Sequence, residues 1–191
     1  MKTHSYVHLL AMVIAGALVS CANQPGLAKV PVSKSQRPDP SPGSPASQLF
    51  QQVNAYRRSQ GVKELQRHAG LDRLAQQHCE YLRLHRGSFS IDGKNVSHIG
   101  FEGRALAARE LYHMENISEN IASASHAGGK PATAVFGLWL NSKDHHKNLL
   151  DSWTHSGVAV VTDSDGTVFS TQIFATVSKM QRMTHARFTG Y

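Results

Sequence analysis

The chain has 191 residues, 40% of them hydrophobic, with a formal net charge of +7 and a pI near 9.6. That length and apolar share suit one globular domain with a proper core plus shorter extensions, and exclude a chain that is mostly disordered. The charge favours anionic neighbours such as phospholipid headgroups and envelope polymers, but lysines and arginines are scattered with no basic run, so nucleic acid is not an expected partner.

The first segment reads as an address. "MKTHSYVHLLAMVIAGALVSCANQ" begins with Lys2 and is apolar from about Leu9 to Val19. That run is too short for an ordinary membrane-spanning helix, and its basic start, apolar centre and small-residue end have the layout of a secretory signal. "LVSC", Leu18 to Cys21, resembles the lipobox of bacterial lipoproteins. The resemblance implies a signal over 1–20, removed before Cys21, and a lipidated Cys21 as the first mature residue. Several acyl chains on one residue anchor a protein to a membrane firmly, where one chain holds it only marginally. The implied location is the cell envelope, lipid-anchored or facing outward. Because Ala22 is not an inner-membrane retention aspartate, a Gram-negative host would place it at the outer membrane. Six of the seven prolines fall between Gln24 and Ala46. Residues 21–46 are therefore expected to form a lipid anchor and an extended, polyproline-rich tether.

The pattern changes at Ser47, where a domain over 47–178 is expected, followed by a tail over 179–191. Leu49, Phe50, Val53 and Tyr56 recur at helical spacing, with Ser47 as a candidate N-cap and Gly61 as a stop. Leu71, Leu74, Ala75, His78 and Leu82 mark a second helix ending near Gly87, and "FEGRALAARELYH" marks a third. A weak strand signal surrounds "ENIASAS". A fourth helix is expected over "KPATAVFGLWLNS", with Pro131 in its first turn. "SGVAVVTD" and "TVFSTQIFATV", separated by "DSDG", predict an antiparallel hairpin. Helices followed by strands give an α+β class.

Four segments in this order resemble the bacterial branch of the CAP superfamily (cysteine-rich secretory proteins, antigen 5 and pathogenesis-related proteins, or SCP domains): "VNAYRRSQGVKEL", "VSHIGFEGR", "SENIA", and "WLNSKDHHKNLL" with the closing hairpin. The resemblance implies an α-β-α sandwich with a cleft that can bind a divalent metal. It assigns the first cleft histidine to His98, the glutamate to Glu119 and the second histidine to His145. The second glutamate of the eukaryotic pattern falls at Ser142, as is common in the bacterial branch, so Ser142 lines the cleft without a carboxylate. The family's glycine before the glutamate is Ser118 here, which raises a question about the backbone, since glycine permits positive φ and serine resists it.

Two neutral imidazoles can bind zinc, copper, nickel or cobalt, but two protein ligands make a thin zinc site. Glu119 is a candidate third ligand, an orienting partner for a histidine, or a base acting on water. Weak, exchangeable binding of a metal such as zinc is the expectation. On an unbroken helix, Ser142 and His145 would be adjacent, Trp139 would pack to one side, Asn148 would bond local backbone and His146 would face solvent. His78 reads as a hydrogen-bonded core histidine, Cys79 as a small buried thiol, and His155 as a residue able to reach the cleft rim. The function best matching these features is an envelope binding module, expected to be monomeric, for a metal plus a lipid, glycan or peptide. The alternatives are a metal-dependent, peptidase-like hydrolase using His98, Glu119 and His145 as catalytic candidates, and a non-catalytic envelope or host-interaction protein.

Overall fold

A computed structural model of the chain describes residues 41–89, 97–125 and 127–177. The signal, Cys21, most of the tether and the 179–191 tail lie outside the described residues. Among those described, no helix is long and apolar enough to cross a membrane.

Helix α1, Pro45–Ser59, starts earlier than Ser47. Its cap is Ser44, whose Oγ accepts from Ser47 N at 3.3 Å. Pro45 occupies the first turn, where its preset φ and missing N–H cost little. Ser47 is buried inside the helix, and its Oγ accepts from Arg67 Nη1. The helix ends before Gly61, which takes a positive φ. Helix α2, Ala69–Leu84, is capped by His68, whose Nδ1 accepts from Leu71 N. It buries Leu71, Leu74, Ala75, His78, Cys79 and Leu82 along one stripe. Helix α3 spans Phe101–Tyr112, and strand β2 follows at Met114–Ala124.

The fourth predicted helix is present, but it does not run on unbroken from Trp139 to Asn148. Helix α4, Pro131–Leu140, stops at Asn141, and helix α5, Lys143–Leu150, begins after Ser142. Ser142 adopts an extended backbone there, which breaks the helix and redirects everything after it. Strands β3, His155–Thr162, and β4, Val168–Val177, form the expected hairpin around the Asp163–Gly166 turn. A two-residue strand β1, Gln66–Arg67, pairs parallel with β3. The sheet order is β1-β3-β4-β2, so β2 is an edge strand.

The sheet is buried on both faces, giving the α-β-α sandwich. On one side α2 and α3 pack Leu71, Leu74, Leu82 and Ala108 against Ile121, Phe169 and Ile173. On the other, α1, α4 and α5 pack Leu49, Val53, Val135, Trp139 and Leu149 against Val158 and Phe174. Burial on both faces explains why β4 reads as a nearly continuous apolar run. Gly157 marks the closest approach of helix and sheet: a Cβ there would lie 2.1 Å from Asp72 N and from Leu71 C. Asp72 fastens the same junction, since its Oδ1 accepts from Val158 N at 2.8 Å and its carboxylate from Arg67 Nε.

The Ser118 question has a local answer. Ser118 pairs regularly with Phe174 and has no positive φ. The irregularity falls two residues earlier, where the register shifts between Glu115 and Ile117 and Asn116 takes φ 31°. Asparagine tolerates that region better than serine or a branched residue does.

Candidate functional site

Alternation along β2 sends Glu119 toward α2 and α3, and Asn120 toward α4 and α5. Because β2 is an edge strand, the layers meet around its free side, and the candidate residues gather there. The loop before α3 supplies His98, and α5 supplies His145.

Glu119 is buried, with a side chain only 3% exposed, and each of its oxygens is engaged. Oε1 accepts from His98 Nδ1 at 3.0 Å and from Arg104 Nη2 at 2.6 Å, and Oε2 accepts from Arg104 Nε at 2.9 Å. Burial pushes its carboxyl up, but the hydrogen bonds from His98 and Arg104 and the Arg104 charge outweigh that and hold it below the usual carboxylate range. Arg104 continues inward: Nη1 donates to Ile99 O at 2.9 Å and to His78 Nδ1 at 3.0 Å. His78 Nε2 donates to Ser97 O at 3.0 Å. Burial, reinforced by the Arg104 charge, pushes the His78 imidazole down to about 4, so it is neutral at physiological pH. The core-histidine expectation for His78 holds, with Arg104 as the partner.

His98 is the exposed end of this chain, with 52% of its side chain open to solvent. Donation from Nδ1 to a carboxylate fixes the tautomer and leaves the Nε2 lone pair free. His145 is half-buried on α5. Burial lowers its basicity first, the charge of His98 lowers it further, and Asp144 opposes both. Asn120 Nδ2 donates to His145 O at 3.0 Å, and Asn148 Nδ2 donates to Asn120 Oδ1 at 2.9 Å. His145 Nδ1 is buried without a protein partner.

Several expectations built on an unbroken helix change. His146 does not face solvent: its Nε2 lies 2.7 Å from Tyr56 Oη, which ties α5 to α1. Asn148 reaches across to β2 and makes no local backbone bond of the expected kind. Ser142 is half-buried at the α4–α5 junction and makes no side-chain cap bond. Trp139 packs fully buried, as expected. His155 does not join the cleft. It opens β3 beside His68, with ring centroids 6.2 Å apart, and its Nδ1 meets Thr154 Oγ1. Cys79 is buried, and burial pushes its thiol up to about 12, so it is inert. Arg104 and Asn120 were missed by sequence reasoning. A buried carboxylate demands a cation, and Arg104, one residue before buried Ala105 on α3, was the available one.

Both oxygens of Glu119 are already taken by donors. With Arg104 forked across it, the carboxylate also holds His98 Nδ1, an arrangement that suits an orienting partner better than a ligand or a base. Among the described residues, no three His, Cys, Asp or Glu side chains converge closely enough to hold a metal ion. These residues do not fit a three-ligand zinc centre.

The model of the cysteine-rich secretory protein family, CAP, matches residues 50–174. No curated protein sequence matches the chain significantly. An outer surface protein of Borrelia burgdorferi has a similar fold, with a TM-score of 0.58 at 17% identity, over 72% of this chain and 96% of that one. A cysteine-rich secretory protein of Staphylococcus aureus gives a TM-score of 0.48 at 17% identity, over 69% of this chain and 38% of that one.

Proposed function

Because the chain belongs to the cysteine-rich secretory protein (CAP) family, we propose that it is an envelope-displayed binding module whose cleft holds a divalent metal ion between His98 and His145. A small or amphiphilic ligand, a lipid, glycan or peptide, would share the cleft. The observation carrying this reading is the 3.0 Å bond from His98 Nδ1 to Glu119, which orients the neutral ring and leaves Nε2 open as a ligand atom. Bound there, the metal would supply Lewis acidity and a coordination site for a ligand oxygen.

The same geometry weighs against a hydrolase with Glu119 as general base. A carboxylate forked by arginine and held below its usual range is a poor proton acceptor near neutrality. Envelope display rests on the Leu18–Cys21 lipobox and the proline-rich tether. The outer surface location named for the Borrelia relative agrees with it.

Isothermal titration of Zn(II) into the full chain tests the metal site. The expected result is weak binding that disappears in His98→Ala and in His145→Ala while circular dichroism stays unchanged. Parent-like binding in both variants would falsify the two-histidine site. For display, Cys21→Ala should move the chain from the membrane fraction to the soluble fraction and remove the lipid mass.

A further inference from the structure

His98 lies between two carbonyls, and both are held. Ser97 O accepts from His78 Nε2, and Ile99 O accepts from Arg104 Nη1. Arg104 Nη1 also donates to His78 Nδ1, while Nε and Nη2 of the same guanidinium grip Glu119. A guanidinium only donates and a carbonyl only accepts. Both bonds to His78 therefore require a single form of that ring: neutral, with its proton on Nε2 and its lone pair on Nδ1. The other neutral tautomer breaks both contacts at once, and the protonated ring breaks the one to Arg104.

We propose that His78, on α2 and outside the ligand-bearing residues, is the positioning residue of the cleft. It sets the His98 backbone through the Ser97 carbonyl, and it sets the His98 ring through Arg104 and Glu119. His78 is 3% exposed, and its ring lies parallel to Tyr81 with centroids 5.9 Å apart, so its own orientation is fixed by packing. Arg104 cannot supply this alone. It is a long, rotatable side chain whose other acceptors, Glu119 and Ile99 O, lie on the edge strand and in the His98 loop. His78 adds the acceptor that ties it to α2. The chain His78–Arg104–Glu119–His98 thus transmits the rigidity of α2 to an exposed imidazole, as outer-shell partners do for metal-binding histidines. The consequence for metal affinity rests on the proposed two-histidine site; the consequence for His98 geometry does not.

Nitrogen-15 NMR of the metal-free full chain at about pH 8 reads the tautomers directly. In the parent, His78 should carry its proton on Nε2 alone and His98 on Nδ1 alone. His78→Phe keeps a ring against Tyr81 but removes both hydrogen bonds. It should average the two His98 nitrogen shifts and weaken Co(II) binding about tenfold. His78→Gln, whose amide can accept from Arg104 and donate to Ser97 O, should restore both. An unchanged His98 tautomer in His78→Phe overturns the proposal. So does a parent His78 protonated on Nδ1, which needs no variant. If the His98 tautomer responds while the parent takes up no Co(II), the positioning role stands and the metal site falls.

Discussion

Glu119 and Asn120 are consecutive on β2 and anchor opposite layers of the sandwich. Glu119 binds Arg104 of α3 and the His98 loop, while Asn120 donates to His145 O and accepts from Asn148 of α5. One edge strand thereby holds both histidines, and the two attachments are separable. Asn120→Ala should cost about 2 kcal/mol, the usual consequence of leaving buried polar groups unpaired. Amide exchange should rise in α5 and stay unchanged around His98. Equal loosening on both sides would show that the layers are not held independently.

Arg104→Ala removes the cation from a buried carboxylate and should destabilise the fold by about 3–5 kcal/mol at neutral pH. The pH dependence has a definite sign. The folded Glu119 carboxyl lies below its ordinary range, so its contribution is present above the unfolded carboxylate value and is lost as pH falls through the folded one. In the variant the upward push of burial is opposed by less. The gap between parent and variant, followed by urea unfolding, should therefore narrow as pH drops below about 4.5. A gap that widens in acid would contradict the ion pair.

Much of this architecture is legible in residue periodicity. The stripe Leu71, Leu74, His78 and Leu82 identifies α2, and the β-branched runs around Asp163–Gly166 identify the hairpin. The spacing from Trp139 singles out His145 from its neighbour His146. What periodicity cannot carry is direction after a break. The extended backbone at Ser142 turns α5 away from α4, and His146 then meets Tyr56 on α1, ninety residues away in the chain. The two residues of β1 are too few to show a period. Arg104 and His78 are invisible as site residues for a related reason: their partners are brought in by the sheet and the His98 loop.

His78 makes the fold acid-sensitive in a window set by its own shift. Burial holds the folded imidazole near 4, whereas the unfolded ring titrates near its ordinary value of about 6.5. Between those values the unfolded chain carries a proton that the folded chain lacks, so stability falls as pH falls. The full loss is on the order of 3 kcal/mol for this group. His68, His145 and His155, each lowered mainly by burial, act in the same direction. Urea midpoints should drop steadily from about pH 7 to about pH 4.5 in the parent and drop less in His78→Gln. An identical slope in the two proteins would mean that His78 is protonated or solvated in the fold.

Gly157 tests the packing that brings α2, and with it His78, to the sheet. Its need for glycine is steric, since its backbone has no positive φ and its missing Cβ would fall 2.1 Å from the backbone of Leu71 and Asp72. Backbone cannot rotate aside as a side chain can. Gly157→Ala must push α2 off β3, stretching the Asp72 Oδ1 bond to Val158 N and opening the cluster of Leu71, Ala159 and Ile173. Overpacking of this kind typically costs about 1–3 kcal/mol, and a clash with rigid backbone belongs at or beyond the upper end. Gly103 on α3 is the internal control, because a Cβ there meets nothing within 4 Å. Gly103→Ala should leave stability equal or raise it by up to about 1 kcal/mol, through its better helix propensity. Thermal melts should therefore fall below the parent in Gly157→Ala and stay level or rise in Gly103→Ala. If Gly157→Ala melts with the parent, α2 has room to withdraw from the sheet and the close approach is not a constraint on the fold.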